Sequence, residues 1–150
     1  MSLREDSPTA PTVEILLAEG WTSIESEGFI GLIGPLLYRE EGASIRFGFV
    51  AEPKHENRRG VVQGGMIAAF ADRSLALGCQ KANNYLPQAT IALNVRMIDA
   101  VHVGEFVEMD CEVVRKTRSV VFMRGTLKAG SRIVATADGM WKLLSTKQAR

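Results

Sequence analysis

The chain has 150 residues and a mass of 16.4 kDa, with 46% apolar and only 7% aromatic residues. That length fits one domain able to bury about two-thirds of the surface its unfolded form exposes, so no disulfide framework is required. Its 18 basic and 17 acidic residues leave a formal charge of +1, which excludes a global field for nucleic acid or an anionic membrane and makes any anion site local.

The first twelve residues, MSLREDSPTAPT, are polar and contain prolines. They lack a basic stretch followed by an apolar one, so no signal peptide is expected and they read as a loose arm. Thr12 is placed to cap a short helix carrying Val13, Leu16 and Leu17, which Gly20 ends, with Trp21 packing just beyond. Residues 1–25 are therefore read as arm and short helix, and 26–150 as a single domain. Phe29 to Tyr38 reads as an apolar strand broken at Gly34-Pro35, a pair suited to an edge, bulge or bend. After the turn REEGA, Ile45, Phe47 and Phe49 alternate with Arg46 and Gly48, which predicts a second strand over 44–51 and a hairpin between the two. The polar stretch from Glu52 to Arg59 is a loop.

An apolar helix is expected over 64–82. Between Gly60 and Gln80 only Asp72 and Arg73 carry charge. That run is long enough to span a bilayer, but its two central charges and its many Gly and Ala residues argue against a membrane segment. Ala68, Ala69, Ala71, Ala76 and Gly78 let other elements approach closely, which suits a helix wrapped by a sheet. KANNYLP then breaks it. Ile91, Leu93, Val95 and Met97 alternate with Thr90, Asn94 and Arg96; Val107, Met109, Cys111 and Val113 alternate with Glu108, Asp110 and Glu112. Strands over 120–128 and 133–144 follow, with KTRS and AGSR connections that suit an antiparallel meander. One long helix that needs burial and one sheet with a dry face give an α+β architecture in which the sheet curls around the helix. Cys79 and Cys111 match no metal or redox spacing and read as buried free thiols, which suits a reducing compartment.

Several chemistries lack their motifs. There is no GxSxG, P-loop, GxGxxG or HExxH, and two histidines, His55 and His102, supply a triad poorly. What remains is local. Gly64-Gly65 opens the helix, either for tight packing or to bring a ligand to free backbone N–H groups where the dipole favours developing negative charge. Asp72 is either half of a surface couple with Arg73 or a base in apolar surroundings; neighbours on a helix do not face each other, so the couple explains it poorly. Eight residues of helix hold Gly64 and Asp72 about 12 Å apart. Both reach one atom only if a second subunit contributes, as in a two-fold dimer with antiparallel helices. Gln63 and Asn57 are amide donors or turn formers, Thr90 orients a water or merely favours a strand, and Arg115, Lys116 and Arg118 form a basic turn that holds phosphates or simply faces solvent.

Together these residues resemble the hotdog-fold acyl-CoA thioesterases, particularly the phenylacetate-degradation and 4-hydroxybenzoyl-CoA thioesterase branch. The signature is NRRGVVQGGMIAAFAD from Asn57 to Asp72, followed by Thr90 at the start of a strand. The resemblance spans Phe29 to Leu144. It implies a hotdog fold and a cofactor-free cytoplasmic hydrolase that meets coenzyme A only as part of its acyl-CoA or aryl-acyl-CoA substrate. It further implies a dimer or dimer of dimers, with no nucleic-acid or membrane partner. The Gly64 amide, with Gly65 beside it, would polarise the thioester carbonyl. The partner's Asp72 would act as base or nucleophile, Asn57 would position the thioester, and Thr90 would orient the water or the acid. Gln63 departs from the family, which has histidine there in an HGG motif: glutamine still donates a hydrogen bond but cannot become a cation. A hotdog protein that binds acyl-CoA without turning it over is the alternative.

Overall fold

The computed structural model describes residues 10–145, so most of the expected N-terminal arm lies outside the described residues. Thr12 caps α1 (Val13–Ala18) by accepting a hydrogen bond from the Ile15 amide at 3.3 Å, and Gly20, at φ +98°, turns the chain away. Leu16 and Trp21 are buried against Leu37, with Val50 and Phe106 packed around them.

The apolar run after Gly28 is not one strand. Gly28–Ile33 forms α2, and only after Gly34 and Pro35 does β2 (Leu37–Glu41) begin. Ile30 and Ile33, three residues apart, pack against the core, while Phe29 and Leu32 remain exposed on the opposite side. Apolar residues at both spacings satisfy a helix as well as a strand, and tertiary packing of the i, i+3 pair selects the helix. The expected hairpin survives in its second half: β2 pairs with β3 (Ser44–Val50) across Gly42 and Ala43, and Gly42 takes φ +62°. A two-residue β1 (Thr22–Ser23) pairs with β2.

The long helix α3 runs from Gly64 to Ala82, within the predicted bounds. Four strands follow: β4 (Gln88–Met97), β5 (Phe106–Lys116), β6 (Val120–Ala129) and β7 (Arg132–Leu143). The seven strands form one antiparallel sheet ordered β1-β2-β3-β5-β6-β7-β4. The meander is therefore β5-β6-β7; β4 does not neighbour its successor but crosses to the far edge beside β7.

α3 lies on the dry face of this sheet. Ile67, Phe70, Ala71, Ser74, Leu75, Gly78 and Cys79 are buried, the i, i+3, i+4 stripe of a helix with one covered side. Against them stand Phe47, Phe49, Val107, Met109, Val121, Met123, Leu127 and Trp141, all buried. Each such aliphatic or aromatic side chain contributes about 1.5–3 kcal/mol over leaving it in water. Gly78 sets how close helix and sheet come: a Cβ there would sit 3.0 Å from Cys111 Cβ and 3.3 Å from Met123 Cε.

β4 departs from its predicted dry face. Leu93 and Val95 pack on the core, but Ile91 and Met97 are about half exposed, at 52% and 51%. The strand has a neighbour on one side only, and its register shifts between Thr90 and Ala92, which carries Ile91 out of line.

Candidate active site

The approach to α3 is a tight, self-bonded turn. Asn57 Oδ1 accepts from the amides of Arg59 at 2.8 Å and Val61 at 3.3 Å. The Asn57 amide donates to Val61 O at 2.7 Å, and the Gly60 amide donates to Asn57 O at 3.1 Å, with Gly60 at φ +78°. Of the two readings of Asn57, the turn former is seen: its oxygen forms the turn, while among the described residues its Nδ2 has no acceptor. The chain then passes between two carbonyls, the Val62 amide donating to Val101 O at 2.8 Å and the Gln63 amide to His55 O at 2.7 Å.

Gln63 occupies the N-cap position of α3, but its exposed side chain caps nothing. The amides of Gly64 and Gly65 are the first of the helix and take no acceptor among the described residues. Close packing does not require these glycines: a Cβ on Gly64 would meet only Met97 Cε, at 3.6 Å, and one on Gly65 only Gln63 Cγ, at 3.8 Å. The open N–H groups sit at the positive end of the helix dipole and suit a carbonyl oxygen that gains negative charge.

His55, near in sequence, does not replace the absent histidine. It is buried, its Nδ1 accepts from the Glu52 amide at 3.0 Å, and its Nε2 contacts Ile33 O at 2.7 Å. With Nδ1 accepting, the network assigns the ring proton to Nε2, and both nitrogens are committed to joining α2 to the loop.

Two clefts flank the turn. One, of ≈310 Å³, brings Asn57, Arg59, Gly64 and Asp99 against Ile67, Met97 and Val134. The other, of ≈650 Å³, is lined by Ile33, Gln63 and Met66 together with Lys54, Arg58 and Arg59. Asn57 and Arg59 line both. Of Met66, Phe70 and Met97, which sequence reasoning did not place in the site, Phe70 is core, while Met66 and Met97 reach the clefts. That reasoning missed Arg58 and Arg59, although two arginines before a glycine in a polar loop were a visible signal.

The second half of the site lies further along α3. Thr90 Oγ1 donates to Asp72 Oδ1 at 3.0 Å, linking helix to edge strand. Asp72 is half-buried and Thr90 exposed. Next to them, Arg73 Nε is buried without an acceptor among the described residues. Unbroken helix separates Asp72 from Gly64, about 12 Å along the axis, so one chain does not bring the two halves together. The basic turn is more distant still. Lys116 Nζ donates to Ala82 O at 3.3 Å at the C-terminal end of α3, about 27 Å from Gly64, and Arg115 and Arg118 flank it.

Other nucleophiles are poorly placed. Burial pushes the Cys79 thiol up to about 11, against the opposing field of Lys116, and the Cys111 thiol up to about 12, with Asp110 adding to the shift; neither is a thiolate near neutral pH. Among the described residues no cluster of three His, Cys, Asp or Glu side chains is placed to hold a metal ion. No helix among them is long and apolar enough to cross a membrane.

An antiparallel sheet wrapped around one long helix, with an open glycine pair at its start and an acid midway along it, is a hotdog fold. The model of the thioesterase superfamily matches residues 59–136, and the chain belongs to that superfamily. Membership supports thioester hydrolysis as its general chemistry. A curated protein of Pseudomonas aeruginosa named "Putative esterase PA0474" is 25% identical over 79% of this chain and 90% of its own length. Zebra fish thioesterase superfamily member 2 has the same fold, with a TM-score of 0.72 and 21% identity over 80% of this chain and 89% of that one. So does the phenylacetic acid degradation protein PaaI from Thermus thermophilus, with a TM-score of 0.70 and 19% identity over 79% of this chain and 100% of that one.

Proposed function

We propose that the protein hydrolyses an acyl-CoA or aryl-acyl-CoA thioester to the free acid and coenzyme A, at a site built from two subunits. The observation that carries this reading is the Thr90–Asp72 hydrogen bond at 3.0 Å on a helix whose own glycine end stands open eight residues earlier. A two-fold dimer with antiparallel helices sets the partner's Asp72 beside Gly64. The dimer is supported by the half-exposed Ile91 and Met97 on the edge strand.

In this site the thioester oxygen accepts from the Gly64 amide, beside Gly65, and the free Nδ2 of Asn57 holds the substrate in line. The partner's Thr90 commits its proton to the partner's Asp72, as the same bond within one chain does, so its lone pairs accept from a water. The partner's Asp72 takes one proton from that water as the oxygen attacks the carbonyl carbon. The resulting oxyanion rests on the Gly64 amide. Collapse breaks the C–S bond, and the departing thiolate takes the proton back from the carboxyl. Water, side chains and backbone suffice, so the reaction calls for no cofactor. Gln63 adds a neutral donor beside the carbonyl. Seen from Gly64, the partner's Arg115, Lys116 and Arg118 lie beyond the glycine end of the helix, on the side from which a long phosphorylated carrier would arrive. The free thiols fit a cytoplasmic setting.

The test is a panel of short, long and aromatic acyl-CoAs assayed with the purified protein. Release of coenzyme A from at least one is expected; none from any removes the reading. Gln63 favours one other reading, a hotdog protein that binds acyl-CoA without turnover. Calorimetry with a non-hydrolysable acyl-CoA analogue separates the two, since tight binding beside a silent hydrolysis assay selects the binder.

A further inference from the structure

Many cations of the described residues have a carboxylate partner: Arg39 pairs with Glu41, Arg46 with Asp110, Lys81 with Glu40, Arg124 with Glu112, and Arg132 with Asp99. Arg58 and Arg59 do not. They are exposed, stand side by side on the Asn57–Gly60 turn, and line the ≈650 Å³ cleft without an ion pair among the described residues. Lys54, in the same cleft, is tied to Gly34 O and lies 3.6 Å from Glu52. Glu56 is the one carboxylate lining that cleft, against three cations.

We propose that the Arg58–Arg59 turn grips the phosphates of the coenzyme A carrier, and that it is supplied by the same chain that offers Gly64. The inference rests on the thioester reading above. A thioester whose oxygen lies on the Gly64 amide sends its acyl group and its carrier in different directions. The two clefts meet at Asn57 and Arg59, the only lining residues they share among those described. The one lined by Ile67, Met97 and Val134 takes the acyl group; the one lined by Lys54, Arg58 and Arg59 takes the diphosphate and the ribose phosphate of the carrier. Guanidinium forks match phosphate oxygens in bidentate pairs. The turn is already held by two hydrogen bonds to Asn57 Oδ1, so little backbone order is lost when an anion arrives.

The experiment uses Arg58→Ala, which trims an exposed side chain that lines the carrier cleft but not the acyl cleft and leaves the turn's backbone bonds in place. Michaelis constants are measured for an acyl-CoA and for the N-acetylcysteamine thioester of the same acyl group, which has no phosphate. The KM for the acyl-CoA should rise roughly tenfold or more, as loss of a charge-assisted contact implies, while kcat and the KM for the truncated thioester stay unchanged. An unchanged pair of KM values overturns the proposal, and so does an equal rise in both, which would mark a structural role. Calorimetry with free coenzyme A gives a reading that needs no turnover. A protein that hydrolyses nothing but binds coenzyme A about tenfold more weakly after the substitution keeps the phosphate grip and loses the hydrolase. Intact hydrolysis with unchanged coenzyme A affinity does the reverse.

Discussion

Exchanging one carboxylate oxygen of Asp72 for an amide separates its chemistry from its place in the fold. Asp72→Asn keeps an oxygen to accept from Thr90 Oγ1 but cannot take a proton from water. Hydrolysis of any acyl-CoA the parent accepts should fall at least about a hundredfold, with the melting temperature nearly unchanged; undiminished activity would remove Asp72 from the mechanism. Gly64 permits the converse experiment. Its φ is not positive and a Cβ there meets only Met97 Cε at 3.6 Å, so Gly64→Ala should melt no lower than the parent. The added methyl nevertheless stands where the substrate must approach the amide, and kcat/KM should fall toward the hundredfold that about 1 Å of misplacement costs. The residues of this half-site were legible because glycine and an isolated acid are conspicuous in an apolar helix. Which atom of Asn57 the turn consumes was not, because that depends on backbone geometry several residues away.

At the level of elements, α3 is held to the sheet at a distance set by Gly78. Gly78→Ala gains helix propensity but pushes a methyl to 3.0 Å from Cys111 Cβ, and the overpacking should prevail by about 1–2 kcal/mol, read as a lower urea midpoint. A second element-level contact braces the smaller cleft, which Asp99 lines: Arg132, opening β7, donates to Asp99 at 2.7 Å and also bonds Glu105. The bond from Arg132 holds the Asp99 carboxyl below its usual 3.8. A carboxylate with a lowered folded value stabilises the chain above its unfolded value and loses that contribution as pH falls through the folded one. The stability cost of Arg132→Gln should therefore be present at neutral pH and shrink as the pH drops below 3.8, measured by urea unfolding at both ends. The bounds of α3 and the β5-β6-β7 meander were readable because each segment obeys one period and ends at glycine or a turn. The α2 segment fits both periods. The exposed Ile91 and Met97 depend on β4 lying at an edge, which no local pattern encodes.

For the whole molecule, the shared site makes a prediction that no single chain can imitate. Asp72→Asn and Gly64→Val should each be inactive alone. Unfolded together in equal amounts and refolded, half of the dimers are mixed, and each mixed dimer holds one site with both halves intact. Activity should return to about a quarter of the parent's; a site confined to one chain would return none. On the outer face of the sheet, Arg46, Arg124 and Arg132 each hold a carboxylate. One consequence follows from the unbroken run of α3 between Gly64 and Asp72. In the paired molecule each helix is a strut, with its first turn in one reaction chamber and its midpoint in the other. Any shift that a ligand imposes on the glycine end is transmitted along a stiff rod to the acid serving the neighbouring chamber. In the proposed dimer the two chambers would therefore share one stiff element, and ligand affinity at one site would depend on occupancy of the other.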